Sequence, residues 1–294
     1  MTHQYHWQLL RAGTLRLDGG GMFGVVPKPM WSKLAAPDEQ NRIGLETNCL
    51  LLEDTPGSKS GSRILIETGF GDKWTDKERG FYDIQKRCVA DALHEIDIAP
   101  ETIDHVVVTH LHFDHAAGLT TLNDEGEPVP VFPKAKVHVQ KKEWEDALAN
   151  KSTMNKTYLE SHLKPIADQV VLHDGEAEIF EGAGINVWPM PGHTWGQQAI
   201  RFEDKDGVVV FPGDVLPTIN HVGLAFSIGY DMEPYTNMLS KRKLLDEASF
   251  RGWRIVIDHE PGDPVVRVKP DAKRAGQFSL TPGNPGNPGN PGNP

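Results

Sequence analysis

Cysteine is scarce in this chain, which has only Cys49 and Cys88 among 294 residues. Two thiols cannot build a disulfide framework, and both lie in apolar segments, so we expect buried free cysteines. Long apolar runs are also missing, because no stretch approaches the ~20 residues that a membrane span needs. The N-terminal residues lack the basic region and apolar core of a signal peptide. We therefore expect a soluble, cytoplasmic protein that does not bind membranes.

Positive charge is in deficit. Lysine and arginine total 30 against 41 aspartates and glutamates, which gives a net charge of -11. Because binding to a phosphate backbone needs clusters of lysine and arginine, nucleic acid is not the expected standing partner. Charge alone leaves a nuclease activity open. We expect a small-molecule substrate, and the sequence leaves open whether the chain forms a homodimer.

Motifs for serine or cysteine nucleophiles are absent. No G-x-S-x-G occurs, and neither cysteine lies in a nucleophile motif. The segment Gly19–Gly24 matches G-x-G-x-x-G, but the following Val25-Val-Pro27-Lys-Pro29 is a poor start for the helix that a dinucleotide site requires. We interpret 18–31 as a flexible loop near an active-site mouth, with Met22, Phe23 and Trp31 as apolar contacts.

The pattern of short apolar runs predicts an α/β fold with mixed sheets in one domain, over residues 1–270. Residues 271–294 form a C-terminal extension, and its Gly-Asn-Pro repeat, Thr281–Pro294, offers nothing to bury and is expected to be disordered. Helices are expected over Asp83–Ile96, Lys142–Ala149 and Pro234–Ala248. Strands are expected over Trp7–Leu17, Asn48–Glu53, Arg63–Glu67, His105–Thr109, Lys136–Val139, Ala199–Phe202, Val208–Phe211 and Arg254–Asp258.

Four candidate metal ligands follow the strand at His105–Thr109. They are His110, His112, Asp114 and His115, in the pattern H-x-H-x-D-H. Side chains at i and i+2 of an extended chain lie on one side, so His110 and His112 can hold one metal. Asp114 and His115 project towards a neighbouring position after the chain turns. Imidazole and carboxylate ligands favour Zn²⁺, while Mn²⁺, Fe²⁺ and Co²⁺ remain open.

Three further candidates follow other strands. His193 lies in the turn Pro191-Gly-His-Thr194, Asp214 follows Gly213, and His259 ends another apolar run. Loops at strand ends are where rigid scaffolds display chemistry. Seven candidates also argue against a purely structural site, because structural zinc usually closes with four ligands.

Together these motifs resemble the metallo-β-lactamase superfamily. The resemblance covers residues 40–262 and rests on THLHFDHAAG (109–118), PGHT (191–194), GD (213–214) and His259. It implies a four-layer αββα sandwich of two mixed β-sheets with two divalent metals at one edge, and zinc is the metal we expect. By the same resemblance, the first metal would be held by His110, His112 and His193, the second by Asp114, His115 and His259, and Asp214 would bridge them.

Within the superfamily, the chain looks most like the lactonase, arylesterase and organophosphate-hydrolase branch. Segments 18–31 and 213–231 are similar to a bacterial group described only as metallo-hydrolases. The N-acyl-homoserine lactonases have a tyrosine three residues after the bridging aspartate, where this chain has Pro217. We therefore considered Tyr230, Phe226 and His221 as substrate-binding residues. The strand-end motif LIDTG is LIETG here, so Glu67 would orient a ligand histidine from behind.

The resemblance implies a dinuclear hydrolase in which a metal-bridging hydroxide attacks the carbonyl of an ester or lactone. Asp214 would bridge the metals, and Asp114 would help to move the proton to the leaving group. The mostly apolar loop 215–230 is expected to line the pocket, which suits an uncharged substrate; the alternative is that it packs into the core. Rival functions are a thioester hydrolase of the glyoxalase II type, a phosphodiesterase or phosphotriesterase, an RNA-processing nuclease, a diiron or persulfide dioxygenase, and metal binding without catalysis.

Overall fold

Two β-sheets form the centre of the computed structural model, which describes residues 3–54 and 61–283. The strands in these residues are β1 (Tyr5–Asp18), β2 (Arg42–Asp54), β3 (Arg63–Ile66), β4 (His105–Val107), β5 (Thr120–Leu122), β6 (Pro128–Pro130), β7 (Lys136–Gln140), β8 (Val170–His173), β9 (Ala177–Glu178), β10 (Asn186–Pro189), β11 (Gln198–Asp204), β12 (Gly207–Phe211), β13 (Arg254–Val256), β14 (Val265–Pro270) and β15 (Phe278–Pro282). The first sheet has the order β1-β2-β3-β4-β7-β8, and the second has the order β15-β14-β13-β12-β11-β10-β9.

Both sheets are mixed, as the sequence predicts. In the first sheet, β1, β2 and β3 are antiparallel, whereas β3, β4, β7 and β8 run parallel. In the second sheet, only β12 and β13 are parallel neighbours. Strands β5 and β6 form a separate antiparallel pair.

Eight α-helices occur in the described residues: α1 (Gly19–Phe23), α2 (Lys28–Trp31), α3 (Asp76–Tyr82), α4 (Val89–His94), α5 (Phe113–Ala116), α6 (Lys141–Leu148), α7 (Glu160–Leu163) and α8 (Pro234–Arg251). Helix α8 begins at its predicted proline and ends at Arg251, where the following Gly252 caps it with a left-handed φ of 70°. None of the helices in the described part of the chain is long and apolar enough to cross a membrane.

Three apolar clusters show that the molecule has four layers. Successive residues of a strand point to opposite faces of its sheet, and in β2 this places Leu50 and Leu52 towards the second sheet and Leu51 away from it. Leu50 and Leu52 join a buried cluster between the sheets. Leu51 packs under helices α4, α6 and α7, and helix α8 covers the outer face of the second sheet with Leu244 and Leu245. The αββα sandwich is therefore confirmed.

The helix predicted over Asp83–Ile96 is wrong at its start. Asp83 has a left-handed φ of 48° and ends helix α3, which the sequence did not predict. The chain re-enters a helix only at Val89, after Cys88. The fourfold apolar spacing of residues 84–96 therefore reflects packing of separate segments.

The segment 18–31 is ordered as two short helices rather than as a flexible loop. Asp18 accepts a hydrogen bond from the Gly21 amide at 2.8 Å and caps helix α1. The rings of Phe23 and Trp31 stack with their centroids 5.4 Å apart, and both are buried. Only Met22 of the three predicted apolar contacts lines the pocket described below.

The folded part extends beyond the expected boundary at residue 270. Strand β15 pairs with β14 from Pro270↔Phe278 to Val266↔Pro282, so Thr281 and Pro282 belong to the second sheet. The Gly283 amide then donates to the Val265 carbonyl at 2.8 Å. The remainder of the predicted tail, residues 284–294, lies outside the described residues.

Candidate metal centre

The H-x-H-x-D-H segment leaves the carboxyl end of β4 at the edge of the first sheet. The strand ends at Val107, and His112 precedes the first residue of the short helix α5. Extended backbone before this helix and helical backbone after it send the ligands in two directions. His110, His112, Asp114 and His115 are all buried.

The other three candidates reach the same edge from the second sheet. His193 follows β10, Asp214 follows β12, and His259 follows β13. The turn before His193 needs a glycine, because Gly192 has a φ of 137° and a Cβ there would lie 2.2 Å from the Asn237 amide nitrogen. All seven predicted ligands are therefore brought together.

His110, His112 and His193 form the imidazole group. Each offers a ring nitrogen within 4.8 Å of the others. Nε2 of His193 lies 2.9 Å from Nδ1 of His112. The Nδ1 atom of His110 meets the Thr109 hydroxyl at 3.0 Å, while its Nε2 is buried and finds no hydrogen-bond partner in residues 3–54 and 61–283.

Asp114, His115 and His259 form the carboxylate-rich group. Nε2 of His259 lies 3.3 Å from Nε2 of His115 and 3.8 Å from Oδ2 of Asp114. Nδ1 of His259 donates to the Glu46 carbonyl at 2.8 Å, which directs Nε2 into the group.

Asp214 lies between the two groups and faces each with a different oxygen. Its Oδ2 lies 3.2 Å from Nε2 of His193 in the imidazole group. Its Oδ1 lies 3.2 Å from Nε2 of His259 and 3.6 Å from Nε2 of His115. A carboxylate in this position can contact two cations at once.

Burial favours the neutral form of two of the three histidines in the imidazole group. Burial lowers the pKa of His110 and of His112 well below the usual value, and neighbouring histidines add to this effect. For His193, burial acts in the same direction, but the carboxylates of Asp214 and Asp231 outweigh it and raise the pKa. Two of the three rings are therefore free to act as ligands at neutral pH.

The carboxylate-rich group holds protons more tightly. Burial alone would lower the pKa of His259, but the charges of Asp258 and Asp214 raise it to about 10. In the same way, burial is outweighed at His115 by Asp258, Asp114 and Asp214, so that its pKa lies well above the usual value. These carboxylates would equally attract a metal cation.

The residues present fit divalent metal ions. Two nitrogens bound to one zinc at about 2.0–2.1 Å lie about 3.3 Å apart in a tetrahedron. The nitrogen pairs in the two groups, at 2.9 Å and 3.3 Å, come close to this spacing. Oδ1 of Asp214 and Nε2 of His110 are buried and have no hydrogen-bond partner among the described residues, which is costly unless a ligand satisfies them.

Sequence reasoning missed two carboxylates behind the ligands. Asp258 Oδ2 lies 2.8 Å from Nδ1 of His115, and Asp231 Oδ1 accepts a hydrogen bond from Nδ1 of His193 at 3.0 Å. Asp258 directly precedes His259 in the chain, so its position at a strand end could have indicated it. Asp231 closes the 213–231 run, but nothing local in the sequence links it to His193.

The predicted supporting residue, Glu67, lies beside His115 without being its nearest carboxylate. Its Oε2 is 3.6 Å from Nδ1 of His115, farther away than Asp258. Its Oε1 accepts a hydrogen bond from the Thr109 amide at 2.6 Å, directly before the first ligand. The left-handed φ of Glu67, 64°, costs backbone energy that this contact helps to offset.

A pocket of about 350 Å³ opens onto both groups. Asp114, His193, Asp214 and His259 form part of its floor. Its walls are largely apolar and aromatic: Leu17, Met22, Phe81, Tyr82, Phe113, Met154 and Tyr230. The volume suits a small organic molecule.

Of the three side chains considered for substrate binding, the structure places only Tyr230 in the pocket wall. His221 is buried, with Nδ1 meeting the Thr218 hydroxyl at 2.8 Å and Nε2 meeting the Met22 carbonyl at 2.7 Å. Phe226 packs edge-on against Phe23, at 6.3 Å between centroids, and is not part of the wall.

The loop 215–230 therefore packs mainly into the core, contrary to the expectation that it lines the pocket. Val215 and Leu216 are buried in the cluster beneath α8. The ammonium group of Lys241 anchors the loop by donating to the carbonyls of His221, at 3.0 Å, and Phe226. Apolar character here reflects burial rather than contact with substrate.

Three cationic side chains reach the rim of the pocket, and each is paired with a carboxylate. Arg16 lies 3.1 Å from Asp83, Arg42 lies 2.9 Å from Asp38, and Lys156 lies 3.1 Å from Glu78. The pairs leave little uncompensated positive charge for an anionic substrate.

Comparisons with known proteins agree with this geometry. The profile of the metallo-beta-lactamase superfamily matches residues 42–259. A probable metallo-hydrolase of Mycobacterium bovis is 24% identical over 248 residues, which cover 76% of this chain and 74% of that protein. An N-acyl homoserine lactonase of Bacillus cereus is 25% identical over 186 residues, 59% of this chain and 65% of the lactonase. The solved structure of a probable metal-dependent hydrolase from Staphylococcus aureus superposes with a TM-score of 0.82 at 27% identity, covering 96% of this chain and 99% of that one.

Proposed function

The chain belongs to the metallo-β-lactamase superfamily of metal-dependent hydrolases, and we propose that it hydrolyses neutral carboxylic esters or lactones with two divalent metal ions. Zinc is the metal that a set of imidazole and carboxylate ligands favours. The imidazole group would hold one ion, the carboxylate-rich group the other, and Asp214 would contact both.

The position of Asp214 carries this proposal. Its two oxygens face different ligand groups at 3.2 Å each, Oδ2 towards His193 and Oδ1 towards His259. A single-metal site would not need a carboxylate divided between two sets of ligands. Bound divalent ions would supply Lewis-acid activation of water and of the substrate oxygen.

Two residues of the chain are placed to act on the substrate. Asp114 lines the pocket, and its carboxylate can accept a proton and pass it to a leaving group. Tyr230 also lines the pocket, and burial raises its pKa to about 12, so that its hydroxyl keeps its proton at neutral pH. The hydroxyl can therefore donate a hydrogen bond to a carbonyl oxygen of the substrate.

The character of the pocket supports a neutral substrate. Its walls are mostly apolar, and the cations at its rim are each paired with a carboxylate. A phosphodiester would want unpaired arginine or lysine contacts. The activity named for the Bacillus cereus relative, hydrolysis of a lactone, is consistent with this choice.

The test compares catalytic efficiency on neutral aryl esters and lactones with that on a thioester and an anionic phosphodiester of matched leaving group. We expect the ester or the lactone to be turned over at least tenfold better, about 1.4 kcal/mol of transition-state preference. Metal analysis of the same preparation should approach two ions per chain. A tenfold preference for the phosphodiester, or a firm content of one ion, would reject the proposal.

A pair of phenylalanines provides a matched control for the pocket. Phe81 is exposed at the pocket mouth, whereas Phe250 is exposed near the end of α8, outside the pocket wall. Phe81→Ala should raise KM for apolar esters severalfold, and Phe250→Ala should leave it unchanged. Equal effects of the two substitutions would place the substrate elsewhere.

A further inference from the structure

One buried glutamate outside the predicted ligand set contacts both loops that carry the imidazole group. Glu143 is the third residue of helix α6, and its side chain is fully buried. It belongs to none of the ligand clusters found in the described residues. A buried carboxylate is costly unless hydrogen bonds satisfy it, so its contacts call for an explanation.

The carboxylate of Glu143 accepts three hydrogen bonds from three separate segments. Oε1 accepts from the Leu111 amide at 2.9 Å and from the Tyr158 hydroxyl at 3.1 Å. Oε2 accepts from the Thr194 hydroxyl at 2.5 Å. Leu111 stands between His110 and His112, and Thr194 directly follows His193. The Glu143 side chain is therefore hydrogen-bonded to a direct chain neighbour of each of the three imidazole ligands.

The backbone carbonyl of Leu111 is held by a hydrogen bond as well as its amide. Nε2 of the buried His162 donates to the Leu111 carbonyl at 3.1 Å. With its N–H bound to Glu143 and its C=O bound to His162, this residue cannot rotate without breaking a buried hydrogen bond. The rings on either side, His110 and His112, are oriented as a result.

The loop of His193 is also packed closely against α6. A Cβ at Gly196 would lie 2.2 Å from the Glu143 amide nitrogen, so the turn after Thr194 rests directly on the helix. The ring of Tyr158 lies beside that of His112, with the centroids 5.0 Å apart and the ring planes tilted by 59°. Each partner of Glu143 is therefore itself in contact with a ligand or with a ligand loop.

We propose that Glu143 is a positioning residue for the imidazole group, setting the affinity of the metal held there without touching it. The inference rests on the proposed dinuclear function. The carboxylate-rich group has its own supports, which are Asp258 at His115 and the Glu46 carbonyl at His259. Because neither of these contacts involves Glu143, its loss should weaken one metal and spare the other.

The experiment measures the affinity of each of the two zinc ions by competition with a chelator. It compares wild type, Glu143→Gln and Glu143→Ala with the control Asp146→Asn. Asp146 is a buried carboxylate on the same helix, and its side chain hydrogen-bonds to Lys142, at 2.6 Å, rather than to Leu111 or Thr194. Supports behind a metal ligand typically change affinity 10–100-fold. We expect a loss of that order for one ion in Glu143→Ala, a smaller loss in Glu143→Gln, and changes within twofold for Asp146→Asn.

A second step assigns the weakened ion. In a His110→Ala background, which lacks a ligand of the imidazole group, Glu143→Gln should not change the affinity of the remaining ion. If Glu143→Ala fails to fold, Glu143→Gln carries the comparison, since its amide oxygen can still accept from Leu111 and Tyr158. Unchanged affinities in Glu143→Gln, or equal weakening of both ions in step with a lower Tm, would overturn the inference. A wild-type protein that binds no zinc would instead reject the proposed function, and this inference with it.

Discussion

The two ligand groups lie side by side at one edge of the sandwich, yet they are supported in different ways. In the imidazole group, Glu143 accepts hydrogen bonds from the Leu111 amide and the Thr194 hydroxyl, and Asp231 accepts one from His193. In the carboxylate-rich group, Asp258 lies against His115, and Asp114 is itself a ligand candidate. The fold thus places similar histidines in different electrostatic surroundings, and metal affinity and proton affinity should differ between the groups.

Asp214 is the residue that both groups share, so its removal should have the largest effect. In the proposed dinuclear site, Asp214→Ala would leave the two cations facing each other with less compensation, and we expect a loss of kcat/KM of at least about a thousandfold, about 4 kcal/mol. Metal content should fall at the same time. Asp206→Ala, at an exposed turn, is the matched control. Near-normal turnover and metal content in Asp214→Ala would show that the groups share no bridge.

Single ligand substitutions should separate the groups. His110→Ala should lower the metal content from two towards one and abolish turnover, with the remaining ion in the carboxylate-rich group. His259→Ala should leave the other ion instead. Metal analysis combined with histidine NMR of the two variants distinguishes these outcomes. Loss of both ions in both variants would mean that the groups fold around metal as one unit.

The support behind His115 should matter less than the ligands themselves. Asp258→Asn removes the charge that lies 2.8 Å from Nδ1 of His115, so we expect metal affinity in that group to fall 10–100-fold. The affinity of the imidazole group should change little. If instead the imidazole group weakens more, the two supports are not independent.

Proton release offers the mildest test. The pKa of His259 is raised to about 10, above its usual 6.5, so this ring is protonated at pH 7.5 in protein stripped of metal. A metal ion must displace that proton in order to bind. The metal affinity of the carboxylate-rich group should therefore fall as the pH drops below 10, by up to tenfold per pH unit for each proton displaced. His110 and His112, whose pKa values are lowered, release none. Calorimetry in buffers of different ionisation enthalpy measures the protons released by each ion.

The same shift has a consequence for stability. A histidine whose pKa is raised on folding stabilises the folded state fully below its unfolded pKa of about 6.5, and this contribution is lost as the pH rises towards 10. Metal-stripped protein should therefore unfold at lower denaturant concentration at pH 9.5 than at pH 6.5. His259→Asn, stripped in the same way, should show a smaller pH dependence.

The ligands could be predicted from the sequence because their arrangement is local. His110 and His112 face one way on an extended segment, and Asp114 and His115 follow a turn only two residues later. The mixed sheets could be predicted too, because an apolar run of strand length indicates a buried strand. His193, Asp214 and His259 each follow such a run, and strand ends in a sandwich collect at one edge.

The segments whose structure differs from the prediction adopt it through contacts between distant parts of the chain. An apolar loop at 215–230 would suit contact with either the substrate or the core. Its inward packing follows from the hydrogen bonds of Lys241 and from contact with helix α8. Strand β15 forms because β14 offers it an edge. The sequence of an apolar or turn-rich segment does not indicate which part of the molecule the segment will pack against.

By itself, the sequence determined which side chains become ligand candidates and that each follows an apolar strand, because period-two alternation and strand ends are properties of short segments. Tertiary structure alone decided what holds those side chains in place. Glu143 meets Leu111 across 32 positions and Thr194 across 51, while Asp231 meets His193 across 38. A carboxylate on a helix, such as that of Glu143, looks like any solvated charge in the sequence until folding buries it against two distant loops, and that burial supports the imidazole group.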